Sequence, residues 1–588
     1  MKTKIYSFLE TLLNKKFTIV FAAIVLSVTI LKAQIPDQLK NLPAFKLRAS
    51  ILSSSHKPQA HGILNDMRSS NNAPCLKAQN TLGGSGFDFG GKLIETRDGG
   101  FIVCGGTNSA DGDFSVPAAD GNDAYIAKYN KHRHLEWTKT FGGTGDDFFN
   151  DIAQTYDGGY ILAGFTSSTD GDVSGNHGAY DVWAVKVNAT GSMEWQKSLG
   201  GSGFDFGNAV VQTFYGGYAI AGFTTSNDGN VSGNHNTDGN GDAWLVELGL
   251  KGNVLYQHCY GGSGSDGFAG IVKSDFGSLI LGGTTTSNDG DVSGNHGGQD
   301  AWVIKVNISG NIVWQKTVGG TGFENLNNGG IITKTTDGNV VIDGLSNSHD
   351  DDIQGKNDTV VSFLTKLNSP TGNIIWSKSF AEPKYRAGEG VFSTRDGGVV
   401  ETGSSAGNGF DGSTFDVLVS KIDKNGKEEW YKKLGGSDFD GALSSGYESP
   451  DGSLNILCQT ASTDGDVKNN HGGIDTWIIK LGRCGEKDAD ENLISANETI
   501  AVTKNILDIN NPSLKLYPNP AKDVLRVEGL NTSSKTILSL FNASGKLIQQ
   551  STATGETYTY SLQKLTAGSY YIKIESDKKT TTLKFVKE

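Results

Sequence analysis

Two stretches of the chain set oxygen-bearing side chains at chemically useful intervals: DGDVSGNHGAYD at 170–181 and DGDVSGNHGGQD at 289–300. A twelve-residue loop encloses a calcium ion when ligands stand at places 1, 3, 5, 7 and 12 and a glycine at place 6 allows the bend. Asp170, Asp172, Ser174, Asn176 through its carbonyl, and Asp181 occupy those places around Gly175. Asp289, Asp291, Ser293, Asn295 and Asp300 do the same around Gly294. Calcium in these two loops is one expectation. The other is that Asp-Gly and Ser-Gly-Asn simply form turns, their side chains bonding nearby backbone amides, while the closing aspartate opens the next strand.

Further copies are less complete. One keeps Asp228, Asn230, Ser232 and Gly233 but inserts residues before Asp242; another keeps Asp464, Asp466 and Asp475 with Lys468 at place 5. Asp350, Asp352 and Gln354 form a third, and Asp111, Asp113 and Ser115 a fourth with altered spacing. The segment locally resembles the D-x-D-x-[DS]-G calcium loops of dockerins and integrin-type propellers. That resemblance implies calcium, although place 12 is Asp rather than Glu. His177, His235, His296 and His471 recur in the same loops. No second imidazole or cysteine joins them at zinc spacing, so they read as turn residues or surface contacts.

Internal repetition supplies the scaffold for these loops. Starts similar to LGGSGFDFG (82–90) recur at 141, 199, 260, 318, 380 and 434, giving seven units of about 60 residues. Each contains four strand candidates, called a to d, which in the second unit are NDIAQTY, YILAGFT, DVWAVKV and SMEWQKSL. Turns such as TYDGG and TRDGG join a to b, and NATG or NISG join c to d, with the glycines that tight hairpins require. Tryptophans 137, 195, 314, 376 and 430 fall on strand d and 183, 244, 302 and 477 on strand c, as packing residues between sheets. Seven four-stranded units predict an all-β, seven-bladed β-propeller over 75–485.

The seventh unit ends after its strand c, whereas CLKAQNTL (75–82) aligns with strand d of the other units. The N-terminal strand is therefore expected to complete the last blade and remove the open sheet edges. In that register Cys75 falls near Cys484, and a disulfide between them would staple the ring. Cys104, Cys259 and Cys458 read as small strand residues.

In such a blade the a–b and c–d hairpins share one face of the ring, and the long b–c and d–a loops share the other. Loops on a rigid scaffold carry function more often, so the long-loop face is the expected ligand surface. Phe87, Phe89, Phe148, Phe149, Phe204 and Phe206 lie in or beside the d–a loops, where they either wedge between blades or form a rim that stacks on sugars.

Lysines precede the apolar run FTIVFAAIVLSVTIL (17–31), the layout of a secretory signal over 1–33, with an uncleaved anchor as the alternative. A flexible segment (34–74) follows, and no later segment is apolar enough to span a membrane. A net charge of -13 without a basic tract argues against nucleic acid as the partner. Export permits disulfide formation.

After a polar linker (486–511), alternating apolar residues predict a small β-sandwich, Ig-like, over 512–588. YPNPAKD (517–523), LFNASGKLI (540–548), LTAGSYYIKI (565–574) and the terminal KFVKE resemble the type A C-terminal sorting domain of the Bacteroidetes type IX secretion system. The resemblance centres on Tyr517, Pro518, Asn519, Pro520, Gly568, Tyr570 and Lys584. It implies passage through the periplasm and across the outer membrane, partnership with the translocon and sortase, and release or attachment at the cell surface.

The expected function is a secreted or surface-displayed binding protein for a glycan or another protein. A polysaccharide-active enzyme is the alternative, with Glu382, Arg386, Glu389 and Glu401 of the divergent sixth unit as its candidate groups; a structural envelope role is a third. No HExxH motif is present.

Overall fold

The computed structural model describes residues 73–114, 121–236, 239–326, 331–353, 360–381, 386–406, 415–485, 515–517, 521–528, 530, 536–542, 547–553, 555–566, 568–576 and 579–587. The leader expected at 1–33 lies outside these, as do Ser115, Gln354 and Glu382. The chain divides into two compact units, 1–486 and 487–588.

The first unit consists of seven sheets, each running a-b-c-d in order. In the second blade the strands are Asp147–Gln154, Tyr160–Thr166, Asp181–Val187 and Met193–Leu199. Successive a strands contact one another round the ring and so form its innermost layer. Strands b and c are wholly buried in this blade, which explains their unbroken apolar runs where a surface strand would alternate. In the fifth blade the innermost strand is broken into Glu324–Asn325 and Ile332–Lys334.

Strand a begins earlier than the sequence suggests. Phe148 and Phe149 belong to it, paired with Phe165 and Gly164, because a bulge before Asp151 absorbs one extra residue and lets the ladder continue.

The ring closes as expected. Cys75–Leu82 pairs antiparallel with Asp475–Gly482, with Thr81 opposite Trp477 and Leu82 opposite Thr476. Cys75 and Cys484 form a disulfide with a Cα–Cα distance of 5.1 Å. Four blades share one packing motif: Trp183, Trp244, Trp302 and Trp477 of strand c are at most 1% exposed. Their indole N–H groups donate to Gln196, Gln257, Gln315 and Gln79 on the adjoining d strand.

The second unit has two sheets. One comprises Lys515–Tyr517, Val524–Glu528 and Thr557–Ser561; the other Thr536–Asn542, Leu547–Ala553, Gly568–Ser576 and Lys579–Lys587. Leu525, Val527, Leu538, Leu540, Tyr560, Ile572 and Phe585 form its core.

Candidate functional site

On the long-loop face, the d–a loop of six blades is tied to the b–c loop of the same blade by a recurring set of hydrogen bonds among the described residues. In the third blade the amides of Ser202, Gly203 and Phe204 donate to Asp228 Oδ1, Ser226 Oγ and Thr225 Oγ1 at 2.7–2.9 Å. Asp205 opens strand a and accepts from Gly201 N and Ser226 Oγ at 2.8 Å, and from the Thr224 hydroxyl. The same pattern holds in the first and fourth blades. Tight glycine-rich loops expose backbone amides, and the aspartates and hydroxyls of the neighbouring loop satisfy them.

The candidate calcium ligands belong to this network. Asp170 accepts from Thr144 N at 2.8 Å, and Asp289 from Ser263 N at 2.7 Å. Asp172 and Asp291 face Gly142 N and Gly261 N at 3.4 and 3.3 Å. Ser174 and Ser293 receive the side-chain amides of Gln196 and Gln315 at 2.6 Å. Asn176 and Asn295 donate back to Ser168 O and Ser287 O at 3.1 Å. Asp181 and Asp300 each accept from the backbone and Nδ1 of His177 or His296. The ten residues thus act as loop clamps, and among the described residues no three acidic, histidine or cysteine side chains are grouped to hold a metal ion.

The recurring histidines have a defined place, each contacting the first aspartate of its own strand c; His235 with Asp242 and His471 with Asp475 complete the set. The second carboxylate oxygens of Asp181, Asp300 and Asp475 are buried without a hydrogen-bond partner among the described residues. In the third blade the inserted loop fills the equivalent position, where Asn236 Nδ2 donates to Asp242 Oδ1, Gly262 O and Gly264 O at 2.8–3.1 Å. Burial raises the carboxyl pKa of Asp181, Asp300 and Asp475.

The d–a aromatics wedge between blades. Phe206 meets Phe165 and Tyr180 of the preceding blade with ring centroids 5.3 and 5.7 Å apart, and Phe149, stacked at 5.1 Å on Trp183 of its own blade, shares a core with Cys104 and Ile126 of the first blade. The polar and aromatic groups of this face are therefore largely engaged with one another.

The hairpin face differs. In six blades a lysine near the end of strand c reaches an aspartate in the a–b turn: Lys128–Asp98, Lys186–Asp157, Lys305–Asp275, Lys366–Asp337, Lys421–Asp396 and Lys480–Asp451, at 2.6–3.4 Å. The third blade breaks the rule. Its turn is TFYGG (213–217) and Glu247 stands in the lysine position. Tyr215 takes the aspartate position and is 66% exposed; the adjacent Phe214 is 70% exposed, and Tyr156, its counterpart on the neighbouring blade, is 58% exposed. Leu250 and Ile308, on the nearby c–d turns, are exposed as well. Tyr156, Phe214, Lys273, Ser274, Ser278 and Lys334 line a depression of about 350 Å³ open to solvent. Lys273 Nζ lies 5.8 Å from the Tyr156 ring centroid, near the outer limit of a cation–π contact. This aromatic group went unnoticed in the sequence reading, although its signal is legible: one repeat exchanges both members of an otherwise constant ion pair.

Of the sixth-blade groups considered for catalysis, Arg386 and Glu401 are buried and Glu389 is largely buried. Arg386 is 1% exposed, paired with the equally buried Glu401 and, at 2.6 Å, with Glu428. Asp343 from the fifth blade is fully buried beside Arg386, Glu401 and Glu389. Burial pushes the Glu389 carboxyl up to about 8.

In the second unit Tyr517 pairs with Arg526, Gly568 with Lys587 and Lys584 with Tyr571 through the backbone. The Tyr570 hydroxyl donates to Thr566 O at 2.8 Å. Pro518, Asn519 and Pro520 lie outside the described residues.

Residues 515–588 match the family described as the secretion system C-terminal sorting domain. The chain is thus a type IX secretion cargo with a propeller, passing through the periplasm to be secreted or held at the outer surface. No helix among the described residues is long and apolar enough to cross a membrane. No curated protein matches the chain. Solved structures similar to it include a Synechocystis apocarotenoid oxygenase (12% identity, 66% of this chain and 88% of that one, TM-score 0.33). Sqt1 from Chaetomium thermophilum is another (12%, 69% and 100%, TM-score 0.35), as is a Dyadobacter fermentans protein of unknown function (8%, 71% and 100%, TM-score 0.34). Scores this low carry nothing about function.

Proposed function

We propose that this exported propeller is a glycan-binding protein, with its ligand seated on the hairpin face across blades two to five. The observation that carries the reading is the depression lined by Tyr156 and Phe214, next to the a–b turn at which Tyr215 and, on strand c, Glu247 stand where six other blades carry an aspartate–lysine pair. Phe214 is not alone: Tyr215, Tyr156, Leu250 and Ile308 are exposed on turns of the same face, and grouped apolar exposure of this kind marks an interaction surface where a single residue would not. Aromatic faces stack on the C–H face of a sugar ring, and the Ser274 and Ser278 hydroxyls lie at the same depression to meet sugar hydroxyls. The long-loop face, where a ligand was first expected, has its hydrogen-bonding groups largely occupied internally. The test is a glycan array with the exported protein and its Phe214→Ala and Tyr156→Ala variants. Binding to a saccharide that weakens roughly tenfold or more in either variant, with melting unchanged, supports the reading; binding indifferent to both substitutions removes it.

A further inference from the structure

Resting on that reading, we infer that the ligand at the hairpin-face depression is an anionic saccharide, its carboxylate or sulfate held by Lys273 and Lys334. The protein carries a net charge of -13, and its strand-c lysines are each neutralised by an aspartate. Lys273 and Lys334, at the ends of the innermost strands of the fourth and fifth blades, line the depression, and neither makes an ion pair with a carboxylate among the described residues. The aspartates of the turns that follow them are engaged elsewhere, Asp337 with Lys366 at 2.8 Å. Asp275 is taken by Lys305 at 2.6 Å and by the Ser274 hydroxyl at 2.6 Å.

Two cations beside exposed aromatic rings form a site with both electrostatic and stacking character. The Lys273 position over Tyr156 keeps the ammonium at the ring rather than out in bulk water. A sugar lying on Phe214 or Tyr156 presents equatorial substituents at its edge, where an acidic group meets ammonium donors. In an acidic protein, these cations also offset the long-range repulsion that an anionic polymer would otherwise meet. A neutral saccharide would use the rings and leave both lysines unengaged.

Isothermal titration of the full-length exported protein with three probes tests this: an oligogalacturonate, a sulfated dextran oligosaccharide and a neutral xylo-oligosaccharide. Binding of either charged probe at least tenfold tighter than the neutral one is expected, weakening as salt rises. The Lys273→Ala/Lys334→Ala double variant should lose about tenfold for the charged probe, and Phe214→Ala should weaken it as well. The uronate and sulfate arms identify which anion is preferred. Equal, salt-insensitive binding of the neutral probe that still depends on Phe214 would overturn the anionic assignment while leaving glycan binding in place. Tight binding of polyglutamate that ignores Phe214→Ala would assign the lysines to an acidic peptide and overturn the inference. Absence of binding to any probe or to the array would remove the underlying reading too.

Discussion

The indole N–H of Trp477 donates to Gln79 Oε1 at 3.0 Å, joining residues 398 positions apart. Gln79 in turn donates to Asp466 O and accepts from Lys468 N. Gln196, Gln257 and Gln315 make the same tryptophan contact inside their own blades. The N-terminal strand thus takes the role of strand d in the last blade down to one side-chain amide.

Loss of this closure should weaken the whole ring. Gln79→Leu leaves a buried indole N–H without an acceptor, at a cost of about 1–3 kcal/mol. Cys75→Ser removes a link spanning 409 residues, at a cost of about 2–5 kcal/mol. Denaturant melts of the two variants check both values. A midpoint unchanged by reduction or by Cys75→Ser would show that the strand pairing alone suffices.

The first glycine of the GG pair is required for space. A Cβ on Gly319 would lie 2.3 Å from Glu324 Oε2 and 2.6 Å from Asp300 Oδ1, whereas one on Gly158 would meet nothing within 4 Å. Gly158 has a φ of 89°, so its replacement is strained but not obstructed. Gly319→Ala should cost roughly 2–4 kcal/mol, against about 1 kcal/mol for Gly158→Ala. Comparable losses in thermal melts would remove the distinction.

Stability should decline as pH rises from about 5 to 9. Burial raises the carboxyls of Glu389 to about 8, Asp123 to about 7 and Asp147 to about 6. Glu389 accepts from the Ser404 hydroxyl at 3.1 Å and interacts with the buried Asp343. Because the folded state holds these protons above the pH at which the unfolded chain releases them, folding is favoured below about pH 4 and progressively less so through pH 6–8. Asp157 and Asp275 act oppositely: lysine and hydroxyl partners lower both to about 2, so their small stabilisation is lost only below about pH 4. Melting across pH 3–9 should peak near pH 4–6; a maximum at pH 8 would contradict the assignment.

Calcium in the loops of blades two and four is tested by melting with chelator and with added calcium. The Asp170 and Asp289 carboxylates already receive backbone amides, so the expected shift is within a degree or so. A rise of several degrees on adding calcium, lost in Asp170→Ala, would place an ion there and mean that these clamps open to admit it.

The sequence by itself determined the repeat, the strand count and the closure, because these rest on local signals: hairpin glycines, strand periodicity, and a d-type strand found before the first unit instead of after the last. The sorting domain was equally legible, its motifs being contiguous. What the aspartates do was decided only in three dimensions. Asp170 and Thr144 are 26 residues apart, and the bond between them exists because strands a and b of one blade carry their two loops to the same edge of the ring. Spacing along the chain reports which oxygens are available; only packing shows that amides have already claimed them. The exposed Phe214, likewise, was one aromatic among many in the sequence, and only the folded ring separated it from those buried between blades.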